Sequence, residues 1–148
     1  AITLHLLSAV IWVGGMFFAY MALRPVAGRL LEPPVRLTLW SQVFSRFFPW
    51  VWLTVLILLT TGFWMIFGVI GGMAAAGIHI HLMMTLGIIM MLIFGHIYFG
   101  PFRRLKQAVG QRNWPEGGSK LNQIRILIAV NLCLGLLVVC IATLGAYL

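Results

Sequence analysis

The chain is a succession of long apolar runs separated by short polar stretches, and none of the runs alternates between apolar and polar positions. Runs of this length without a period of two predict helices rather than strands. Four of them, residues 2–22, 49–70, 79–100 and 121–147, are long enough to span a bilayer core of about 30 Å at roughly 1.5 Å per residue. Arg24 and Pro25 are expected to end the first, by charge and by ring geometry. Pro33 and Pro34 can open a short helix. After them Leu37, Trp40, Val43, Phe44 and Phe47 recur at helical spacing, with Arg36, Ser41 and Arg46 elsewhere. That pattern predicts an amphipathic helix over 34–47 lying in the membrane interface. The short uncharged turn between the second and third runs, together with the even number of crossings, predicts up-down-up-down packing. The expected fold is therefore all-α: one transmembrane domain, a four-helix up-down bundle, with a short interfacial helix between its first two crossings.

The same pattern assigns faces. His5, Ala9, Trp12, Met16 and Ala19 form one stripe of the first crossing. Thr54, Thr61 and Gly68 recur every seven residues in the second and are expected to face the bundle. Trp50, Trp52 and Trp64 suit the two membrane interfaces. In the fourth crossing Asn131, Gly135, Val138, Ala142 and Gly145 make a small, partly polar stripe; an amide at that depth should face the interior. The eight methionines look scattered and read as core filler. Cys133 and Cys140, about 10 Å apart along one helix, are too distant for a disulfide.

Composition agrees with the pattern. Only 8% of residues are charged and 62% are hydrophobic, against roughly 25% charged in soluble domains. The first run has no basic stretch before it, so it reads as a crossing rather than a cleavable leader. The net charge of +8 does not indicate nucleic-acid binding, because the basic residues fall at membrane boundaries. Nine of the ten lie in residues 24–48 and 101–120, and Arg125 lies on the same side. The positive-inside rule puts both connections in the cytoplasm of a bacterial-type inner membrane and both termini in the periplasm. Glu32 and Glu116 are the only carboxylates, and no nucleophile-and-base set is present. Hydrolysis and carboxylate acid–base catalysis are thereby disfavoured.

The histidines carry the remaining chemistry. An imidazole in a membrane span is costly unless it meets a partner. His5 opens the first crossing, while His79 and His81 open the third, at the same depth. Imidazoles on facing helices suit a non-covalent haem b, with His5 and His81 (or His79) as ligands of its iron. The absence of Cys-x-x-Cys-His excludes covalent haem on this chain. Copper or zinc could take the same three histidines. Helical phase favours His81 inward, with Thr85, Ile88, Leu92, Gly95 and His96 near its face, and sends His79 elsewhere. His96 lies about 22 Å deeper than His81 and belongs to a second inner site or to packing. Arg24, Arg125 and Asn131 are candidate propionate or polar neighbours.

The first crossing, LHLLSAVIWVGGMFFAYMALRP, and the third, HIHLMMTLGIIMMLIFGHIYFGPFRRL, resemble CopD-domain membrane proteins and the related four-helix HemJ-type protoporphyrinogen oxidases. The likeness extends through FFPWVWLTVLILLTTG in the second crossing and so covers most of the chain. The HemJ-type resemblance implies haem b and oxidation of protoporphyrinogen; the CopD resemblance implies copper uptake across the inner membrane. At position 81 this chain has His where the HemJ-type pattern has Lys. That weighs against the oxidase activity and offers haem a second imidazole. The leading expectation is a haem b protein of electron transfer or haem-linked oxidation, an oxidoreductase if it is an enzyme. Its partners would be the bilayer and a redox protein or quinone, with a homo-oligomer left open. Copper transport through His5, His79 and His81 is the alternative.

Overall fold

The first apolar run is helical over Ile2–Phe18 (α1), and Pro25 does not end it. A π-helical segment, Ala19–Leu23, intervenes, with the Arg24 amide reaching back to the Ala19 carbonyl, and helix resumes as α2, Arg24–Leu30. Proline is tolerated in the first turn of α2, where its missing N–H has no required partner, and the wider turn before it absorbs the register change. The computed structural model describes residues 2–72 (the side chain of residue 69 apart), 74 and 76–145. The expected last residues of the fourth crossing, 146 and 147, lie outside them.

The amphipathic stretch expected over 34–47 is helical, and it continues without a break into the second crossing as α3, Pro33–Trp64, running through Pro49. Its apolar face is not laid on lipid. Leu37, Trp40 and Phe44 are buried against protein, on a core that includes Phe102 and Leu105. At 32 residues, α3 is about 48 Å long, so about 18 Å of it extends past a bilayer core of about 30 Å. A second π-helical segment, Met65–Ile70, follows α3 and ends at Gly71. Gly71 has φ 99°, a left-handed conformation that costs glycine nothing and a residue with a Cβ about 1–2 kcal/mol.

The third crossing is α4, Ile78–Phe99, followed after Gly100 by α5, Pro101–Gly110. The last helix, α6, is Trp114–Leu144 and starts seven residues before the expected 121. Asn113 caps it, its Oδ1 accepting from the Glu116 amide at 3.4 Å, with Pro115 in the first turn. Asn, Pro and Glu in that order are helix-start signals, which the neighbouring Gly117 and Gly118 disguised as a turn.

The described residues thus hold four helical stretches long and apolar enough to cross a membrane: Ile2–Leu30, Pro33–Gly68, Ile78–Gly110 and Trp114–Leu144. α1 packs chiefly on α3, while α4 and α5 pack on α6. The interior has two unlike halves. Towards the basic end lies an aromatic cluster in which Phe48 sits 4.9 Å from Phe44, 4.8 Å from Phe102 and 5.3 Å from Phe94, mostly edge to face. Leu105 and Ile124 at this end are fully buried. Beyond the bilayer core, burial from water contributes roughly 1.5–3 kcal/mol per large apolar side chain. Within lipid that driving force is absent and close packing replaces it. Leu4, Leu7, Val10, Leu56, Leu92 and Leu137 are among many large apolar side chains left exposed, as lipid-facing surfaces require. Trp50 and Trp64 are exposed as interface residues should be, whereas half-buried Trp52 packs on Phe94 and Tyr98.

Candidate functional site

At the end of the bundle away from the basic segments, α1, α3, α4 and α6 leave a cavity of about 240 Å³. His5 lines it, and so do Met65, Met83, Met84, Met90 and Met91, five of the chain's eight methionines. Small residues, Ala9, Gly62, Gly87 and Gly135, make the room, because each withholds a side chain where helices would otherwise meet. Trp12 closes the inner end and contacts Phe94 edge to face at 6.2 Å, so the aromatic half of the core begins where the cavity stops.

His5 is oriented by α3. Its Nδ1 lies 2.8 Å from Thr61 Oγ1, and the Thr61 hydroxyl lies 2.7 Å from the Ile57 carbonyl. A hydroxyl has one hydrogen to donate. With that hydrogen given to Ile57, Oγ1 offers His5 only lone pairs, and Nδ1 must carry the imidazole hydrogen. Nε2 is then the unprotonated nitrogen, the form in which imidazole binds a metal. Thr61 is buried, as its heptad spacing predicted.

The other predicted histidines are not brought to this cavity. His79 packs on the end of α6: a Cβ added at Gly145 would lie 2.8 Å from the His79 Cβ. His81 is half-buried and does not line the cavity; its neighbour Ile80 does. The face assigned inward with His81 points mainly outward, since Thr85, Leu92 and His96 are exposed. The packed face of α4 is instead that of Met90, Phe94 and Ile97. Both α1 and α4 border the cavity, but α4 turns Ile80, Met83, Met84 and Gly87 towards it, which leaves His79 and His81 on flanking faces. Among the described residues no group of three or more His, Cys, Asp or Glu side chains gathers where it could hold a metal ion. The residues present do not fit a haem held by two imidazoles, because among the four histidines only His5 lines the cavity. His96, expected in a second site or in packing, is exposed and lines neither this cavity nor the one at the basic end.

Asn131 is buried between α6 and α4, its Nδ2 donating to the Met90 carbonyl at 3.1 Å, while its Oδ1 has no partner among the described residues. Arg24 and Arg125, by contrast, do share a place. Both line a second cavity of about 290 Å³ at the basic end, together with Arg36.

The sequence reading missed the methionines. The signal was present: Met83-Met84 and Met90-Met91 are two adjacent pairs seven residues apart, hence on one face two turns distant. Met65 joins them from the π-helical segment after α3.

Fold and cavity together define a polytopic four-helix membrane protein with a sulfur-rich intramembrane pocket. The family described as Copper resistance protein D matches residues 41–144, more than two thirds of the sequence, and the chain belongs to that family. The matched stretch contains Thr61 and the five cavity methionines but not His5. No curated protein and no solved structure matches the chain.

Proposed function

We propose that this protein handles monovalent copper within the membrane, accepting the ion as cargo in the cavity lined by His5 and the five methionines. The observation that carries the reading is that convergence itself. Thioethers are soft, uncharged ligands that favour Cu(I), and a neutral imidazole adds one stronger nitrogen donor. A monovalent ion among neutral ligands also requires no carboxylate in lipid, and the chain has none there. Membership in a family described by copper resistance supports the same cargo. By the positive-inside rule the basic segments lie in the cytoplasm of an inner membrane. The cavity then lies in the outer half, where periplasmic copper would enter, and the Trp12–Phe94 layer separates it from the cytoplasmic half.

The test is anaerobic titration of the purified protein with Cu(I) against a chromogenic chelator. Wild type is expected to bind about one ion per chain. His5→Ala and the paired Met83→Leu, Met84→Leu variant should bind at least tenfold more weakly, while His79→Ala, His81→Ala and His96→Ala match wild type. Met-to-Leu exchange nearly conserves volume and usually costs under about 1.5 kcal/mol of stability, so a folded variant is expected. Wild type purified with a haem absorption spectrum that His5→Ala and His81→Ala both abolish would overturn the copper reading.

A further inference from the structure

The cavity at the basic end is unlike the rest of the basic surface. Arg29, Arg46, Arg103, Arg104 and Arg112 are exposed, whereas Arg24, Arg36 and Arg125 are half-buried and line one cavity of about 290 Å³. They come from α2, α3 and α6, so only the tertiary fold assembles them. Each guanidinium is partly held. Arg24 Nε donates to the Tyr20 carbonyl at 3.2 Å, and its guanidinium sits 4.4 Å from the Tyr20 ring centroid. Arg36 Nη1 reaches the Gly28 and Leu31 carbonyls, both at 3.4 Å. Arg125 Nε and Nη2 bond Asn122 Oδ1 at 3.2 and 2.7 Å. These bonds fix the side chains and leave other N–H groups of each fork without a protein acceptor among the described residues. None of the three has a carboxylate partner there either. The ion pair formed is Lys120 with Glu116, at 3.8 Å, and Glu32 is exposed.

Three guanidiniums around one cavity without a counter-charge repel one another, and an anion relieves that repulsion. Planar forks suit phosphate oxygens in particular. The rest of the lining sets the ligand class. Trp40, Trp114, Phe44 and Ile128 make the cavity largely apolar and aromatic. Arg24 and Arg125 are also the charged residues closest in sequence to the apolar spans of their helices, which puts the forks at headgroup depth. A soluble phosphate compound would leave the apolar walls unused; a lipid uses both parts. We propose that this cavity is a specific site for an anionic phospholipid, its phosphate held by Arg24, Arg36 and Arg125 and the start of an acyl chain on the aromatic walls. The site is independent of the copper cavity and of its reading.

The experiment is native mass spectrometry of the delipidated protein in detergent, with phosphatidylglycerol or phosphatidylcholine added back. Wild type should retain about one phosphatidylglycerol per chain and at least tenfold less phosphatidylcholine. Arg24→Gln, Arg36→Gln and Arg125→Gln combined should lose that selectivity. Arg103→Gln, Arg104→Gln and Arg112→Gln combined, with the same change in charge, should keep it. Equal retention of the two lipids by wild type, or equal loss in both triple variants, overturns the proposal. So does displacement of phosphatidylglycerol by millimolar inorganic phosphate, which would assign the site to a free anion. The wild-type arms decide the question even if a triple variant fails to fold.

Discussion

His5 and Thr61, 56 residues apart in sequence, meet across α1 and α3 with Nδ1 and Oγ1 separated by 2.8 Å. The contact fixes the tautomer of the one histidine that faces the methionine cavity. Thr61→Val keeps the shape and removes the acceptor. The imidazole then loses the partner that holds its hydrogen on Nδ1. Loss of such an orienting partner typically weakens metal binding by roughly 10- to 100-fold. We expect Thr61→Val to weaken Cu(I) binding by that factor and Thr61→Ser to retain most of it, read by chelator competition. A Thr61→Val protein with wild-type affinity would remove Thr61 from the site.

Gly135 stands where α6 approaches both α1 and α4 closely. An added Cβ would lie 2.9 Å from Val13 Cγ2 and 3.2 Å from Met90 Cε. Val13 is branched and half-buried and Met90 is 4% exposed, so both would have to shift into the cavity they line. Overpacking of this kind costs typically 1–3 kcal/mol. Gly135→Val should destabilise the bundle by about that amount, measured by reversible unfolding in mixed micelles. Combination with Val13→Ala, which vacates the contact, should recover part of the loss. Gly87 also lines the cavity, but a Cβ there meets nothing within 4 Å. Gly87→Leu should therefore fill the cavity and lower copper binding with little effect on stability.

Asn131 donates one hydrogen bond to the Met90 carbonyl and, among the described residues, leaves its own Oδ1 unpartnered while 1% exposed. Hydrogen bonds between membrane helices average about 0.6 kcal/mol, and a buried unsatisfied oxygen costs a comparable or larger amount. The two oppose each other. Asn131→Leu should consequently change unfolding stability by less than about 1 kcal/mol. A much larger loss would show that Oδ1 has a partner in the membrane.

The charge asymmetry predicts orientation. A reporter joined after residue 148 should be active only if it folds outside the cytoplasm. One inserted at residue 112, between α5 and α6, should be active only if it folds inside. The opposite result would move the methionine cavity to the cytoplasmic half and reverse the direction from which copper reaches it.

The class of protein and most of the helix faces were legible in the residues alone. Continuous apolar runs in a chain with so few charges leave helices across a membrane as the way to satisfy the backbone. Trp12, Met16 and Ala19, Thr54 and Thr61, and Asn131 and Gly135 are buried as their spacing predicted, whereas Gly68, expected to face the bundle with the threonines, is exposed. These are properties of a single helix, and periodicity reports them. Element boundaries were less legible at Pro25, read as a helix end but accommodated by a π turn, at Pro49, where the expected interfacial helix and second crossing are one helix, and at Gly117, which sits at a close helix crossing inside α6. Packing alone sets which helices are neighbours and which face each turns to the others. His5, His79 and His81 were expected at one depth, but they do not share a cavity, because α4 turns Ile80, Met83, Met84 and Gly87 towards it and leaves His79 and His81 on flanking faces. Neighbour choice depends on how whole surfaces pack, and four crossings of similar apolar composition leave several pairings open to a reader of the sequence. That same choice gathers five methionines around His5 and draws three arginines from separate helices into one cavity.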